Sequence, residues 1–98
     1  MANLVNLTVK FMSIPRQRTG KYSVQFVSSA NRLRDILREV VDVYHIRDIL
    51  FTQSGDVRPY ARVLVNGRSY QFLGGLDTEL HDGDIVALIY PWLGHEDF

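Results

Sequence analysis

Three histidines, His45, His81 and His95, are the first residues to consider for metal binding in this sequence of 98 residues. Their spacing does not match HxxH or a comparable ligand pattern, so we expect no structural metal. The run His95-Glu96-Asp97 can bind a divalent ion weakly, but a solvated tail is the better interpretation. Cysteine is absent, which excludes disulfides, thiolate metal sites and a cysteine nucleophile. We therefore expect neither a metal nor a bound cofactor.

Catalytic motifs are missing as well. A serine hydrolase needs a nucleophile with a base and an orienting acid, and no GxSxG or equivalent occurs. Ser54-Gly55-Asp56 has the composition of an ordinary turn, and Gly74-Gly75 lies ahead of a predicted strand without a free carboxylate. Neither GxGxxG nor GxxxxGK[ST] is present to hold a phosphate. The sequence indicates a protein that is not an enzyme, so a step that uses ATP would belong to a partner.

The charge balance excludes two classes of partner. Basic and acidic side chains number 11 each, so the molecule exerts little long-range attraction on nucleic acid or on an anionic membrane. Arg16, Arg18 and Lys21 crowd the first loop and could bind a phosphate or an acidic partner, although most such clusters are only solvated. We find no signal-peptide pattern and no apolar run long enough for a membrane span. A cytoplasmic location is expected.

Two predicted strands and a helix occupy the first half of the chain. Alternation of apolar and polar residues predicts strands over residues 4–12 and 22–26, joined by a turn over residues 13–20. After the second strand, a set of apolar residues with helical spacing predicts a helix: Leu33, Ile36, Leu37, Val40, Val41 and Tyr44.

Two polar features accompany this helix. Its N-cap candidates are Ser28, Ser29 and Asn31, whose side chains can accept hydrogen bonds from the first free N–H groups. On its solvated face, Arg38 and Asp42 are four residues apart, which is the spacing of an ion pair along a helix.

The second half of the chain predicts more strands. Residues 46–58 are ambiguous, and we assign no element there. Asn66-Gly67 is a strong hairpin signal. The other predicted elements are a strand over 60–65, a brief strand over 69–71, a loop over 73–83 with at most one helical turn, and a last strand over 84–90. This order predicts an α+β fold of the β-grasp type, a mixed sheet of about four to five strands packed on one main helix, with the first and last strands parallel.

The last strand is apolar on both faces, although a single helix covers only one side of a sheet. Sheets of this kind normally have both faces covered, so the second face is a candidate partner surface. It would comprise Met12, Leu64, Ala87 and Ile89. The alternative is that residues 46–58 fold over it. Trp92 is a further candidate for partner binding, because tryptophan is enriched at binding hot spots.

A series of short motifs follows in order along the chain: Val9-Lys10-Phe11, the helix, Arg58-Pro59-Tyr60, Val63-Leu64-Val65-Asn66-Gly67, Leu73-Gly74-Gly75-Leu76-Asp77-Thr78, Asp82-Gly83-Asp84-Ile85-Val86-Ala87 and Pro91. In their order and spacing these motifs resemble the ubiquitin-like sulfur carriers, a family that includes the small subunit of molybdopterin synthase (MoaD), the thiamine sulfur carrier (ThiS) and the small archaeal modifiers. The resemblance implies a β-grasp domain over residues 1–93 and a tail over residues 94–98.

The resemblance also implies a function and a set of partners. Members end in Gly-Gly after the last strand, and a partner adenylates the terminal carboxylate before a donor converts it to a thiocarboxylate. The implied partners are an adenylating enzyme of the MoeB/ThiF type or a protein like the large subunit of molybdopterin synthase. The implied pathway is molybdenum or tungsten cofactor biosynthesis.

The tail departs from the family pattern. Gly94 matches the penultimate glycine, His95 stands where the terminal glycine is expected, and three bulky or acidic residues follow. Such an end does not fit a channel shaped for glycine. Two hypotheses remain open: a processing peptidase trims the tail to expose Gly94, or the chain is a non-carrier interaction module of the same fold.

Overall fold

The computed structural model of the protein describes residues 3–91. In chain order the helices and strands are β1 (Val5–Ser13), α1 (Ile14–Thr19), β2 (Ser23–Ser28), α2 (Leu33–Val43), α3 (Arg47–Leu50), β3 (Arg62–Val65), β4 (Arg68–Ser69) and β5 (Ile85–Tyr90). Two short 3₁₀ turns, Tyr70–Phe72 and Gly75–Asp77, lie between β4 and β5.

One five-stranded sheet forms in the order β2-β1-β5-β3-β4. β5 is the central strand, and it pairs in parallel with its neighbour β1 from Thr8 opposite Ile85 to Ser13 opposite Tyr90. The other pairs are antiparallel, so the sheet is mixed. The predicted β-grasp fold, including the parallel first and last strands, is confirmed. The limits of the domain and of the tail stay predictions, because residues 92–98 lie outside the described range.

The core lies between α2 and the inner face of the sheet. The apolar stripe predicted for α2 is confirmed, since Leu33, Ile36, Leu37, Val40 and Val41 are all buried. Alternate residues of β1 and β5 meet this stripe from the sheet: Leu7, Val9, Phe11, Val86 and Leu88. The ring of Phe11 contacts that of Tyr44 edge to face, with centroids 5.2 Å apart, at the C-terminal end of α2.

The sequence predicted a turn over residues 13–20, but this segment contains the short helix α1. Pro15 suits its first turn, where the missing N–H costs no intrahelical hydrogen bond. Gly20 ends the helix in the left-handed region at φ 71°, and its N–H donates to the carbonyl oxygen of Arg16. The predicted brief strand over 69–71 is also shifted, because β4 ends at Ser69 and a 3₁₀ turn begins at Tyr70.

The start of α2 uses backbone rather than the predicted side-chain caps. Arg32 is the N-cap residue, and no side chain accepts a hydrogen bond from the first turn. The carbonyl oxygen of Thr78 instead accepts from the N–H of Leu33 at 2.9 Å. Ser28 is occupied elsewhere, since its hydroxyl donates to Glu39 at 2.7 Å and accepts from the N–H of Ala30. The long connection before β5 therefore fixes the start of α2.

The ion pair predicted along α2 also differs. The carboxylate of Asp42 pairs with Arg47, at 2.7 Å, and not with Arg38. Arg47 lies on α3, so the pair spans the turn between the two helices instead of running along one of them.

Residues 46–58, left unassigned from the sequence, pack into the core. Ile46, Ile49, Leu50 and Phe51 are buried in the same cluster as α2. They therefore lie on the helix side of the sheet and do not cover its outer face. Among residues 3–91, no helix is long and apolar enough to cross a membrane.

Candidate functional site

The outer face of the sheet brings together the four apolar residues that the sequence nominated. Successive strand residues point to opposite faces, so the residues that alternate with the core project outward. Met12 lies opposite Ile89 across the β1–β5 pair, and Leu64 lies opposite Ala87 across the β3–β5 pair. We call Met12, Leu64, Ala87 and Ile89 the outer patch.

The outer patch is only partly accessible at its centre. Ala87 is 7% exposed on the central strand, whereas Met12, Leu64 and Ile89 are half-buried. Lys10 stands opposite Ala87, and Arg62 stands opposite Ile89. The outward positions of the described strands carry these cations and no carboxylate. The arrangement can accept an apolar partner surface with an acidic rim.

The tail leaves the sheet at one end of this face. β5 ends at Tyr90, which lies opposite Ser13 of β1, and Ile89 lies opposite Arg62 of β3. Pro91 is the last described residue. The nominated residues Trp92, Gly94 and His95 lie outside the described range. Whether Trp92 joins the outer patch therefore stays a prediction.

Ser13 has an unusual backbone conformation beside this exit. Its φ of 58° and ψ of −124° belong to a region that residues with a Cβ rarely occupy. Such a conformation costs of the order of 1–3 kcal/mol and persists only where the surroundings enforce it. Here the parallel pairing with Tyr90 and the immediate start of α1 provide that constraint.

Two surface clefts flank the exit, one on each side. The cleft on the β1 side is lined by Ser13, Arg16, Gln17 and Gly20. The cleft on the β3 side has a volume of 470 Å³ and is lined by the following residues: Val57, Arg58, Pro59, Ala61, Arg62, Val63, Ser69, Tyr70, Gln71 and Phe72. Both linings contain arginine, and neither contains Asp or Glu.

The basic residues of the first loop do not form one binding cluster. Arg18 donates to both carboxylate oxygens of Asp48 at 3.1 Å and to the carbonyl oxygen of His45. This hydrogen bond lowers the pKa of Asp48 and raises that of Arg18. Arg16 instead lies over the ring of Tyr22, 5.2 Å from its centroid. Arg18 thus anchors α1 to α3, and Arg16 remains available at the surface.

The histidines assemble no metal site in the described part of the chain, where no group of three His, Asp or Glu side chains has suitable geometry. His81 lies 3.9 Å from carboxylate oxygens of Glu79 and Asp84, at the end of the sheet opposite the tail exit.

Sequence reasoning missed the strain at Ser13 and the cleft beside β3. No local pattern signals either one, since both depend on where β4 and β5 end.

Comparisons with known proteins now identify the family. A sequence model of the ThiS family matches residues 9–94, which is most of the chain. The chain belongs to the ThiS family. Among curated relatives of this ThiS-family chain, small archaeal modifier protein 3 of Haloferax volcanii is 31% identical over 91 residues, covering 92% of this chain and 99% of the relative.

Solved structures place the ThiS-family chain among ubiquitin-like carriers and modifiers. CysO of Mycobacterium tuberculosis is 31% identical, with a TM-score of 0.72 over 86% of this chain and 97% of that chain. A complex of BexX and CysO from Amycolatopsis orientalis contains a chain 25% identical, with a TM-score of 0.71 over 90% and 98% of the two chains. Members of this family are carriers or modifiers and not enzymes themselves, as the sequence predicted.

Proposed function

We propose that this protein is a ubiquitin-like sulfur carrier whose reactive end is Gly94, exposed when a peptidase removes the residues that follow. The observation that carries the proposal is the extent of the family match, which runs through Gly94 and no further. Gly94 lies four residues beyond Tyr90, the end of the central strand. Four extended residues reach at most about 14 Å, enough to present a carboxylate beyond the sheet.

The chemistry requires little from the carrier itself. A carboxylate oxygen of Gly94 attacks the α-phosphate of ATP, pyrophosphate leaves, and an acyl-adenylate forms. A sulfur donor then displaces AMP and leaves the thiocarboxylate. Glycine suits this position because a residue without a side chain lets the backbone approach the nucleotide closely. ATP and the catalytic groups belong to the partner, and the carrier supplies the carbonyl carbon.

The outer patch serves as the docking surface in this proposal. Its apolar residues lie at the same end of the sheet as the tail exit, so a partner that covers the patch also receives residues 91–94. The partner is an adenylating enzyme of the MoeB/ThiF type at the activation step, and a protein like the large subunit of molybdopterin synthase at the transfer step. The structure of CysO in complex with BexX supports a docking role for a related chain.

Delivery of sulfur to molybdenum or tungsten cofactor assembly, in the cytoplasm, completes the proposal. It follows from the resemblance to the molybdopterin synthase small subunit. The name of small archaeal modifier protein 3 favours a further use of the same activated glycine, which is transfer to an amine of another protein.

A second candidate function is a pure docking module, and a specific observation favours it. His95, Glu96 and Asp97 follow Gly94, and this sequence does not fit a channel shaped for glycine. If no peptidase removes these residues, the fold keeps only its binding surfaces.

The test compares three forms of the protein: residues 1–98, residues 1–94, and residues 1–95 with His95→Gly. Each is incubated with an adenylating enzyme of the MoeB/ThiF type from the same organism, ATP and a sulfide source, and its intact mass is measured. We expect acyl-adenylate and thiocarboxylate on the form ending at Gly94, more on the form ending in Gly-Gly, and none on residues 1–98. If neither shortened form reacts although both bind the enzyme, the carrier proposal fails and the docking module remains.

The docking role of the outer patch is tested in the form ending at Gly94. Ile89→Asp should abolish activation while the circular dichroism spectrum stays unchanged. Val27→Asp is a matched control, because Val27 is 53% exposed on the same face but lies on the edge strand β2. Equal loss of activity in both variants would contradict the assignment of the patch.

A further inference from the structure

The strand β2 forms one edge of the sheet and lacks the features that usually protect such a strand. Edge strands are commonly short, charged or interrupted by a proline or a bulge, which prevents pairing with another chain. β4, at the other edge, has two residues, one of which is Arg68. β2 runs over six residues, Ser23–Ser28, with no charge, no proline and no interruption in its pairing with β1. Its free side is therefore open to a further strand.

Ser23, Gln25 and Val27 carry the free backbone groups of this edge. In an antiparallel pair, alternate residues of a strand bond to the neighbouring strand, and the residues between them point away from it. The N–H of Phe11 donates to the carbonyl oxygen of Tyr22, so the even-numbered residues of β2 bond to β1. The three odd-numbered residues are exposed, and their N–H groups and carbonyl oxygens have no hydrogen-bond partner within the described part of the chain.

One register of a second copy uses all three of these residues. Antiparallel pairing about a two-fold axis at Gln25 places Gln25 opposite its own counterpart, and Ser23 opposite Val27 of the second copy. Each outward residue then donates one hydrogen bond and accepts one. A two-fold contact needs the same surface on both copies, and the even spacing of the outward residues about Gln25 meets this requirement.

The side chains on the helix side of β2 are complementary in the same register. Val24 and Phe26 pack against the edge of the core and are only partly buried. The register sets Val24 of one copy opposite Phe26 of the other, and pairs of an aromatic with a β-branched residue are favourable across strands. Self-pairing thus covers apolar surface that one chain leaves exposed at its edge.

Two charges of opposite sign lie at the two ends of β2. Arg16 lies over the ring of Tyr22, which directly precedes the strand, at 5.2 Å from the ring centroid. Glu39 accepts a hydrogen bond at 2.7 Å from the hydroxyl of Ser28, which ends the strand. Neither Arg16 nor Glu39 forms an ion pair in the range that the structure describes. Because the register sets Tyr22 opposite Ser28 of the second copy, it brings Arg16 toward Glu39 of that copy at both ends.

We propose that β2 binds β2 of a second copy of this chain, antiparallel about Gln25, so that two five-stranded sheets form one continuous sheet. The contact leaves the outer patch open, since that patch lies on β1, β3 and β5. The proposal does not rest on the carrier function, and it is measured without any enzyme. One strand edge is smaller than a standard protein interface, so we expect a dissociation constant of the order of 100 µM.

Sedimentation equilibrium of residues 1–98 measures this association. Between about 10 µM and about 1 mM, the weight-average mass should rise from that of one chain toward that of two. Amide hydrogen exchange followed by NMR locates the contact on the same protein. Exchange at Ser23, Gln25 and Val27 should slow as the concentration rises, whereas the amides of Val24 and Phe26 already bond to β1 and should change little.

Variants at Gln25 test the axis. Gln25→Lys and Gln25→Glu should each weaken association at least about tenfold, because like charges then lie directly opposite each other. An equal mixture of the two variants should associate again as a heterodimer. Gln25→Thr is the matched control, since it keeps the strand uncharged and should associate like the wild type. Gln25 is exposed, so all three variants should keep the circular dichroism spectrum of the wild type.

A charge variant tests the contact at the ends of the strand. Arg16→Glu should weaken association about fivefold, because the dimer contains the exposed pair with Glu39 twice. Arg68→Glu is the control at the opposite edge of the sheet and should have no effect. Equal effects of these two variants would contradict the predicted contact between Arg16 and Glu39.

Four results would overturn the proposal as a whole. A protein that stays monomeric at about 1 mM does not pair through β2. Association that persists in both charged Gln25 variants uses another surface, and association lost in Ile89→Asp but kept in those variants uses the outer patch. If a peptide of residues 21–29 and a scrambled version protect the three outward amides equally, the edge accepts any extended segment. None of these results bears on activation of the form ending at Gly94, so the proposed function stands or fails separately.

Discussion

Replacing Leu37 by alanine tests the helix face on which the whole fold depends. Leu37 is 0% exposed at the middle of α2, and its neighbours Ile36, Val40 and Val41 are equally buried. Truncation removes three buried carbons and leaves a cavity that close-packed neighbours fill poorly. Substitutions of this kind cost about 2–5 kcal/mol, and complete burial places Leu37 near the middle of that range, at about 3 kcal/mol.

Chemical denaturation followed by circular dichroism measures this loss, with a thermal scan beside it. A domain of this length loses about 4–8 °C of melting temperature per kcal/mol, so the midpoint should fall by more than about 10 °C. Val43→Ala is the control on the same helix, because Val43 is 56% exposed. A loss for Leu37→Ala no larger than for Val43→Ala, or below about 0.5 kcal/mol, would refute the packing of α2 on the sheet.

Three further predictions concern the backbone and the anchor of α1. Ser13→Gly should raise the unfolding free energy by about 1 kcal/mol, because glycine adopts φ 58° without strain, and a decrease in a urea titration would contradict this. Gly67→Ala should lower it by about 1 kcal/mol, since Gly67 has φ 87° in the β3–β4 turn. Asp48→Asn should cost below about 1 kcal/mol at pH 7, because the pair with Arg18 is exposed. The pKa of Asp48 is lowered in the folded state, so the difference in unfolding free energy between wild type and Asp48→Asn should vanish as the pH falls through the folded-state pKa. A difference that stays constant down to pH ~2 would refute this pH dependence.

Elements with strong periodicity were predictable from the sequence. The stripe of α2 and the alternation in β1 and β2 follow directly from the spacing of apolar residues. Asn66-Gly67 fixed the hairpin because both residues adopt positive φ, 52° and 87°. The grouping of the outer patch was also predictable, since period two and the parallel pairing of the end strands place Met12 beside Ile89.

Elements held by distant contacts were not predictable. α1 has no apolar periodicity, and its contacts with β1 and β5 and its bond from Arg18 to Asp48, 30 residues away in sequence, are not signalled by any local pattern. The start of α2 depends on Thr78, which no capping rule connects to Leu33. The cleft beside β3 required knowing that β4 ends after two residues. Each of these features is set by tertiary structure, which overrides local propensity.

The parallel pairing of β1 with β5 has a consequence for the order of events during synthesis. These neighbouring strands are the first and the last of the sheet to be synthesised, so the sheet cannot close until the chain has been made through Tyr90. Pairing between such distant segments must overcome a large loop-closure entropy and forms slowly. A docking surface built across that pair is absent from every incomplete or unfolded chain. In the proposed function, an enzyme that recognises the outer patch would therefore meet Gly94 only in molecules that have finished folding.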